Sequence, residues 1–135
     1  MTHGEPRFEN YLLPTLTVSD CKAAIAFYKK AFGATELMCV CDPDGKLVAE
    51  MAVGSARFII ADESPENGNL SADKLPGVSV RLGLMVADPD AVAQTAIEAG
   101  AKTVYSVADQ DYGYRLGHFI DPFGHHWEIG KPLNP

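Results

Sequence analysis

The chain lacks any run of 18 apolar residues, so nothing in it reads as a membrane-spanning helix. Basic charge is also scarce: 11 Lys and Arg stand against 18 Asp and Glu, for a net charge of −7. Nucleic-acid binders neutralise phosphates with clustered Lys and Arg, so that class of partner is not expected. Cysteine is scarce and odd in number, at Cys21, Cys39 and Cys41. The first seven residues hold no apolar stretch that would read as a secretory signal. Together these point to a reduced, cytoplasmic setting rather than a disulfide framework. Cys39 and Cys41 would share one face of a strand, but no second Cys pair and no nearby His completes a zinc ligand set. They read as small strand fillers. What is present is 47% apolar and 21% charged residues in a chain of 135, an ordinary composition for one soluble domain or two half-domains sharing a core.

The dominant positive feature is an internal repeat. Leu16-Thr17-Val18-Ser19-Asp20 precedes an amphipathic run that ends at Phe32-Gly33-Ala34. Leu84-Met85-Val86-Ala87-Asp88 precedes a similar run that ends at Ala99-Gly100-Ala101. The two Asp residues lie 68 apart, half the chain. A duplicated unit of this length cannot bury its own apolar face, so two copies should share a core and any ligand should sit between them.

In the first copy, residues 11–18 read as a strand, with Pro14 favouring an edge or a strand start. Ser19 or Asp20 can cap the next helix, Ile25, Tyr28 and Phe32 form its buried stripe, and Gly33 ends it. Strands follow over 35–41, 46–53 and 56–62, separated by the turn signals Asp42-Pro43-Asp44-Gly45 and Gly54-Ser55. The second copy has a strand over 78–86, a helix starting at Asp88-Pro89 with Val92, Ala96 and Ala99 buried, and strands near 102–107, 114–120 and 125–130. The expected organisation is therefore a single domain, 1–135: a first β-α-β-β-β module over 10–62, a polar linker or flap over 63–77, and a second module over 78–131.

With that plan, Ala24-Ile25-Ala26-Phe27-Tyr28 and above all Asp121-Pro122-Phe123-Gly124-His125-His126-Trp127-Glu128-Ile129 carry a family likeness. The chain resembles the vicinal oxygen chelate superfamily, the group of glyoxalases, bleomycin-resistance proteins and ring-cleaving dioxygenases. Tyr112-Gly113-Tyr114-Arg115 makes it similar to the branch around the phosphonate-operon protein B. The resemblance implies an α+β fold in which two βαβββ modules form one curved, eight-stranded mixed sheet. It also implies a cavity on the concave side, homodimers and, in many members, a divalent metal held by one ligand from each of four strands.

Residue by residue, the implied metal site is poorly filled. The first position is Leu13, which has no donor, and the third is Arg81, whose guanidinium has no lone pair to give. The second falls on a strand, residues 56–61, without a donor, and only Glu128 matches the fourth. Glu50 lies one strand too early. Strand alternation puts Thr15, Glu50, Arg81, His126 and Glu128 toward the cavity, and leaves open whether Leu116, His118 and Ile120 or Arg115, Gly117 and Phe119 face it. Glu128 beside a His could form an acid/base pair, and Glu128 with Arg81 or Arg115 could equally be a buried ion pair. His125 is expected to be solvated in its turn, and Tyr112 and Tyr114 to lie near the cavity mouth. The expectation is thus a small-molecule binder without a metal, taking an apolar or aromatic ligand through Thr15, Glu50, Arg81, Tyr114, Arg115, His118, His126 and Glu128. The alternative is a glyoxalase-type lyase or isomerase that uses Glu128, and Glu50 with it, on a divalent metal.

Overall fold

Each helix begins at an aspartate whose side chain takes up a free backbone donor. In the computed structural model, which describes residues 8–134, Asp20 Oδ1 accepts from the Ala23 amide at 3.1 Å and Asp88 Oδ1 accepts from the Ala91 amide at 3.1 Å. These caps start α1 (Cys21–Phe32) and α2 (Pro89–Ala99). Gly33 ends α1 at φ +66°, a left-handed conformation that a side chain would strain. The first seven residues lie outside the described ones.

The first module places β1 (Thr15–Val18) before α1, then β2 (Thr35–Cys41), β3 (Leu47–Val53) and β4 (Ala56–Asp62). The second places β5 (Arg81–Met85) before α2, then β6 (Lys102–Asp109), β7 (Tyr114–Ile120) and β8 (His126–Pro132). Strand order is β1-β4-β3-β2 in one sheet and β5-β8-β7-β6 in the other, so the duplication holds strand for strand. In each, the first strand pairs in parallel with the last, as the intervening helix requires, and the hairpins are antiparallel.

The expected α+β plan of two βαβββ modules holds, and its hydrogen-bonded ladders, which end at β1 and β5, form two four-stranded mixed sheets. At the free edge of β1 one acceptor is already occupied. The Pro14 carbonyl accepts from Ile59 of β4 and the Val18 carbonyl from Glu63, just past its end. The Thr17 carbonyl points the other way and accepts from His125 Nε2 at 2.8 Å, so a side chain occupies an acceptor that a neighbouring strand would have used. His125 is accordingly half-buried and ties the two modules together, rather than lying solvated in its turn.

One core serves both sheets. Leu16, Val18, Ala49, Met51, Phe58 and Ile60 come from the first, Leu84, Phe119, Trp127 and Ile129 from the second. α1 and α2 pack on each other and on their own sheets. Tyr28 of α1 lies within 5.7 Å, ring centre to centre, of both Phe58 and Trp127, bridging the modules with aromatic contacts. At its centre is Asp121, 5% exposed. Its carboxylate accepts from Tyr28 Oη at 2.5 Å, Trp127 Nε1 at 2.8 Å, and the amides of Phe123 at 2.9 Å and His125 at 3.0 Å. Four donors offset the desolvation of that charge. Burial, and then the adjacent carboxylate, hold the Tyr28 phenol well above the usual tyrosine range.

The stretch 63–77 is folded into two short 3₁₀ turns, Pro65–Asn67 and Ala72–Lys74, closed by a Lys74–Glu63 ion pair. The Asp73 amide donates to the Phe123 carbonyl at 3.0 Å, so the stretch packs against the β7–β8 turn.

Candidate functional site

Because both sheets turn one face to the shared core, each leaves its other face open. The register decides which residues occupy it. In the first sheet Thr15, Ile59, Glu50 and Met38 lie in one row across β1, β4, β3 and β2, and Thr17, Ala61, Val48 and Val40 lie in the next. Glu50 is half-buried there and stands 3.5 Å from the Arg57 guanidinium.

In the second sheet Arg81 is opposite His126, Gly83 is opposite Glu128, and Glu128 is opposite His118. This resolves the face of β7: Leu116, His118 and Ile120 share the open side, and Arg115, Gly117 and Phe119 lie on the core side. Arg115 is accordingly held at the start of α2, bonding both Asp90 oxygens at 2.9 and 2.7 Å and Asp109 at 3.0 Å. The structure does not bring it together with the other candidates.

Arg81, His118, His126 and Glu128 do meet, whereas Thr15 and Glu50 lie on the first sheet and Tyr114 at the end of β7. His118 Nε2 and His126 Nδ1 are 2.8 Å apart, a hydrogen bond in which one ring donates and the other accepts. Burial first, and then the neighbouring His126, hold His118 below the usual histidine range. Arg81 Nε stands 3.4 Å from Glu128 Oε2, with 57% and 23% of the two side chains exposed, so this ion pair is not buried. Tyr105 packs edge-on against His118, ring centres 5.6 Å apart. Burial, and then Tyr112 and Glu128, push its phenol up. Tyr114 is at the far end of β7, exposed, and Tyr112 lies in the turn before it.

Sequence reasoning missed Tyr105. Register shifts at Thr103/Tyr105 and Tyr105/Ala108 break the alternation of β6, so counting by twos cannot give its face. A bulge between Glu36 and Met38 does the same in β2. No sequence signal marks either.

The donor set does not fit the metal site of the resembled family. Leu13 precedes β1, and β4 turns Arg57, Ile59 and Ala61 outward. Asp62 spends its two oxygens on the amides of Cys21 and Leu47, at 2.7 and 2.8 Å. Arg81 offers no lone pair, and Glu50 and Glu128 lie on different sheets, each beside its own arginine. Among the described residues no group of three His, Cys, Asp or Glu is placed to hold a metal ion.

With this geometry in place, comparison with known proteins gives the family. The model for the glyoxalase/bleomycin resistance protein/dioxygenase superfamily matches residues 10–129. The chain belongs to that superfamily. An uncharacterised protein of Mycobacterium bovis is 41% identical over 129 residues, spanning 93% of this chain and 85% of that protein. An uncharacterised Arabidopsis thaliana protein is 33% identical over 113 residues, 77% of this chain and 67% of that one. Among solved superfamily-like folds, the fosfomycin resistance protein FosX of Listeria monocytogenes superposes with a TM-score of 0.73 at 15% identity, covering 93% of this chain and 95% of its own. TioX of Micromonospora superposes at 0.71 with 22% identity, covering 93% and 100%. At such identities the likeness is one of fold. No helix among the described residues is long and apolar enough to cross a membrane.

Proposed function

We propose that this superfamily member binds a small apolar or aromatic molecule without a metal, as a cytoplasmic homodimer, and that it belongs to the branch around the phosphonate-operon protein B. The observation that carries the reading is the contrast on the open face of the second sheet. Arg81, Glu128, His118, His126 and Tyr105 are gathered within one patch, yet a single chain leaves that patch uncovered. Binding sites combine apolar walls with a few convergent polar groups. Here Met85 and Tyr105 supply the walls of the second sheet, and Met38, Val40 and Ile59 those of the first. A second copy that sets its first sheet against this patch would enclose it and bury the exposed Met38, Val40 and Met85. Within a single chain, a cleft of about 540 Å³ runs from Gly83 and Met85 to the β3–β4 turn, and one of about 610 Å³ lies between Thr15, Thr17, His125 and residues 70–80. The branch assignment rests on Tyr112-Gly113-Tyr114-Arg115 and the Asp121–Ile129 string. The cytoplasmic setting is supported by free thiols on Cys39 and Cys41 at the surface.

A thermal-shift screen against planar aromatic compounds tests the reading, with metal analysis and sedimentation on the same sample. A true ligand at 100 times its dissociation constant should add about 2.7 kcal/mol. Metal content should stay below about a tenth of an equivalent, and the particle should sediment as a dimer. A near-stoichiometric divalent metal whose removal abolishes ligand binding would overturn it in favour of a metal-dependent lyase or isomerase centred on Glu128.

A further inference from the structure

Two arginines of the second module are held very differently. Arg115 is held at all three of its nitrogens, by charge-assisted bonds of 2.7–3.0 Å that let one guanidinium serve two carboxylates. Arg81 touches a single carboxylate at 3.4 Å through Nε, and among the described residues its two terminal nitrogens, Nη1 and Nη2, donate to no protein acceptor. Glu128 therefore steers the Arg81 fork while leaving its outer edge open, and Arg115 shows that a second carboxylate can share such a guanidinium.

Beside that fork lies Gly83. It sits inside β5, on the same face as Arg81 and Met85, and needs no left-handed backbone. A methyl group there would meet only Met85 Cε, at 3.7 Å. Neither turn geometry nor crowding calls for glycine here. A glycine inside a strand weakens it, and a close approach of another molecule is one physical reason to keep it. The bare strip of sheet at Gly83 is flanked by Met85 and faces Glu128, His126 and His118 across the ladder, with Tyr105 beyond His118.

We infer that the ligand is a flat carboxylate, an aromatic or conjugated acid. Its carboxylate takes the Nη edge of Arg81, and its plane lies on the sheet at Gly83 between Met85 and the imidazole pair. This deepens the binding function proposed above and rests on it. Arg81 supplies charge and planar geometry, Gly83 supplies clearance, and Glu128 is a positioning residue that acts through Arg81.

The test is isothermal titration of the full-length protein with 2-naphthoate and, as its uncharged counterpart of the same shape, 2-naphthamide. The acid should bind at least about tenfold tighter than the amide, the scale of one charge-assisted interaction. Arg81→Gln should bring the acid down to the amide's affinity, and Arg81→Lys should recover only part of the difference. Gly83→Ala has room in the free protein, so it should leave the melting temperature unchanged while weakening both compounds. Equal affinity for acid and amide, or an unaltered acid affinity in Arg81→Gln, would overturn the carboxylate assignment and leave the aromatic-binding function standing. Failure of both compounds to bind the wild-type protein would overturn both.

Discussion

The two modules share a topology strand for strand but spend it differently. The first puts the ion pair Glu50–Arg57 on an open face beside Thr15, Thr17, Met38, Val40, Val48, Ile59 and Ala61. The second gathers two histidines, a loosely held arginine, a carboxylate and a tyrosine around a bare glycine. The turns before the last strands diverge as well. Gly54-Ser55 is exposed, whereas Asp121 is buried beneath four hydrogen-bond donors. Duplication therefore decides where an open face lies, and a few differing side chains decide which polar groups stand on it.

The sharpest way to break the comparison is at those turns. Asp121→Ala strands the buried Tyr28 hydroxyl and Trp127 indole N–H and cuts one of the ties between modules, so it should cost roughly 3 kcal/mol or more in urea unfolding. Ser55→Ala, on the exposed turn, should stay within about 0.5 kcal/mol. Similar losses for both would show that the turns are equivalent after all. The helix caps test the opposite expectation, that duplication left something equal. Asp20→Ala and Asp88→Ala each remove one bond of the same length, and each should cost about 1 kcal/mol. A large inequality would mean that one module carries the other.

The smallest expected effect concerns Asp90, whose bond from Arg115 holds its carboxyl below the usual range. A carboxylate depressed in the folded state stabilises above its unfolded pKa, about 3.9, and that contribution is lost as pH falls through the lower folded value. Asp90→Asn should therefore be slightly less stable near neutrality and lose less on acidification below about pH 4. Urea midpoints at the two pH values read this directly, and identical acid losses would mean that this solvent-accessible pair contributes nothing.

Much of this architecture is legible in local pattern. Asp20 and Asp88, with Gly33 and Gly100, mark both helices because capping chemistry is local. The core faces of β1, β3, β5 and β8 follow from alternation in regular strands. Alternation fails where a bulge intervenes, which hid Tyr105 and Met38. It also fails to give absolute phase to a strand without a clear apolar stripe. β7 reads equally well either way until its pairing of His118 with Glu128 is known. Nothing local marks Asp121 as buried, and His125 is expected to be solvated in its turn. Their partners, Tyr28 and Thr17, lie 93 and 108 positions away, beyond the reach of any window along the chain.

The sequence by itself determined the duplicated βαβββ plan, the position of every strand and helix to within a few residues, and the misfit of Leu13 and Arg81 to a metal site. Those rest on spacing, caps and the donor chemistry of single side chains. Only the tertiary structure decided that the hydrogen-bonded ladders end at β1 and β5, that Arg115 is spent on Asp90 and Asp109 while Arg81 is not, and that His118 and His126 meet. Each of these is a pairing between distant groups, set by register and by competition for hydrogen-bond partners, and no local pattern encodes it.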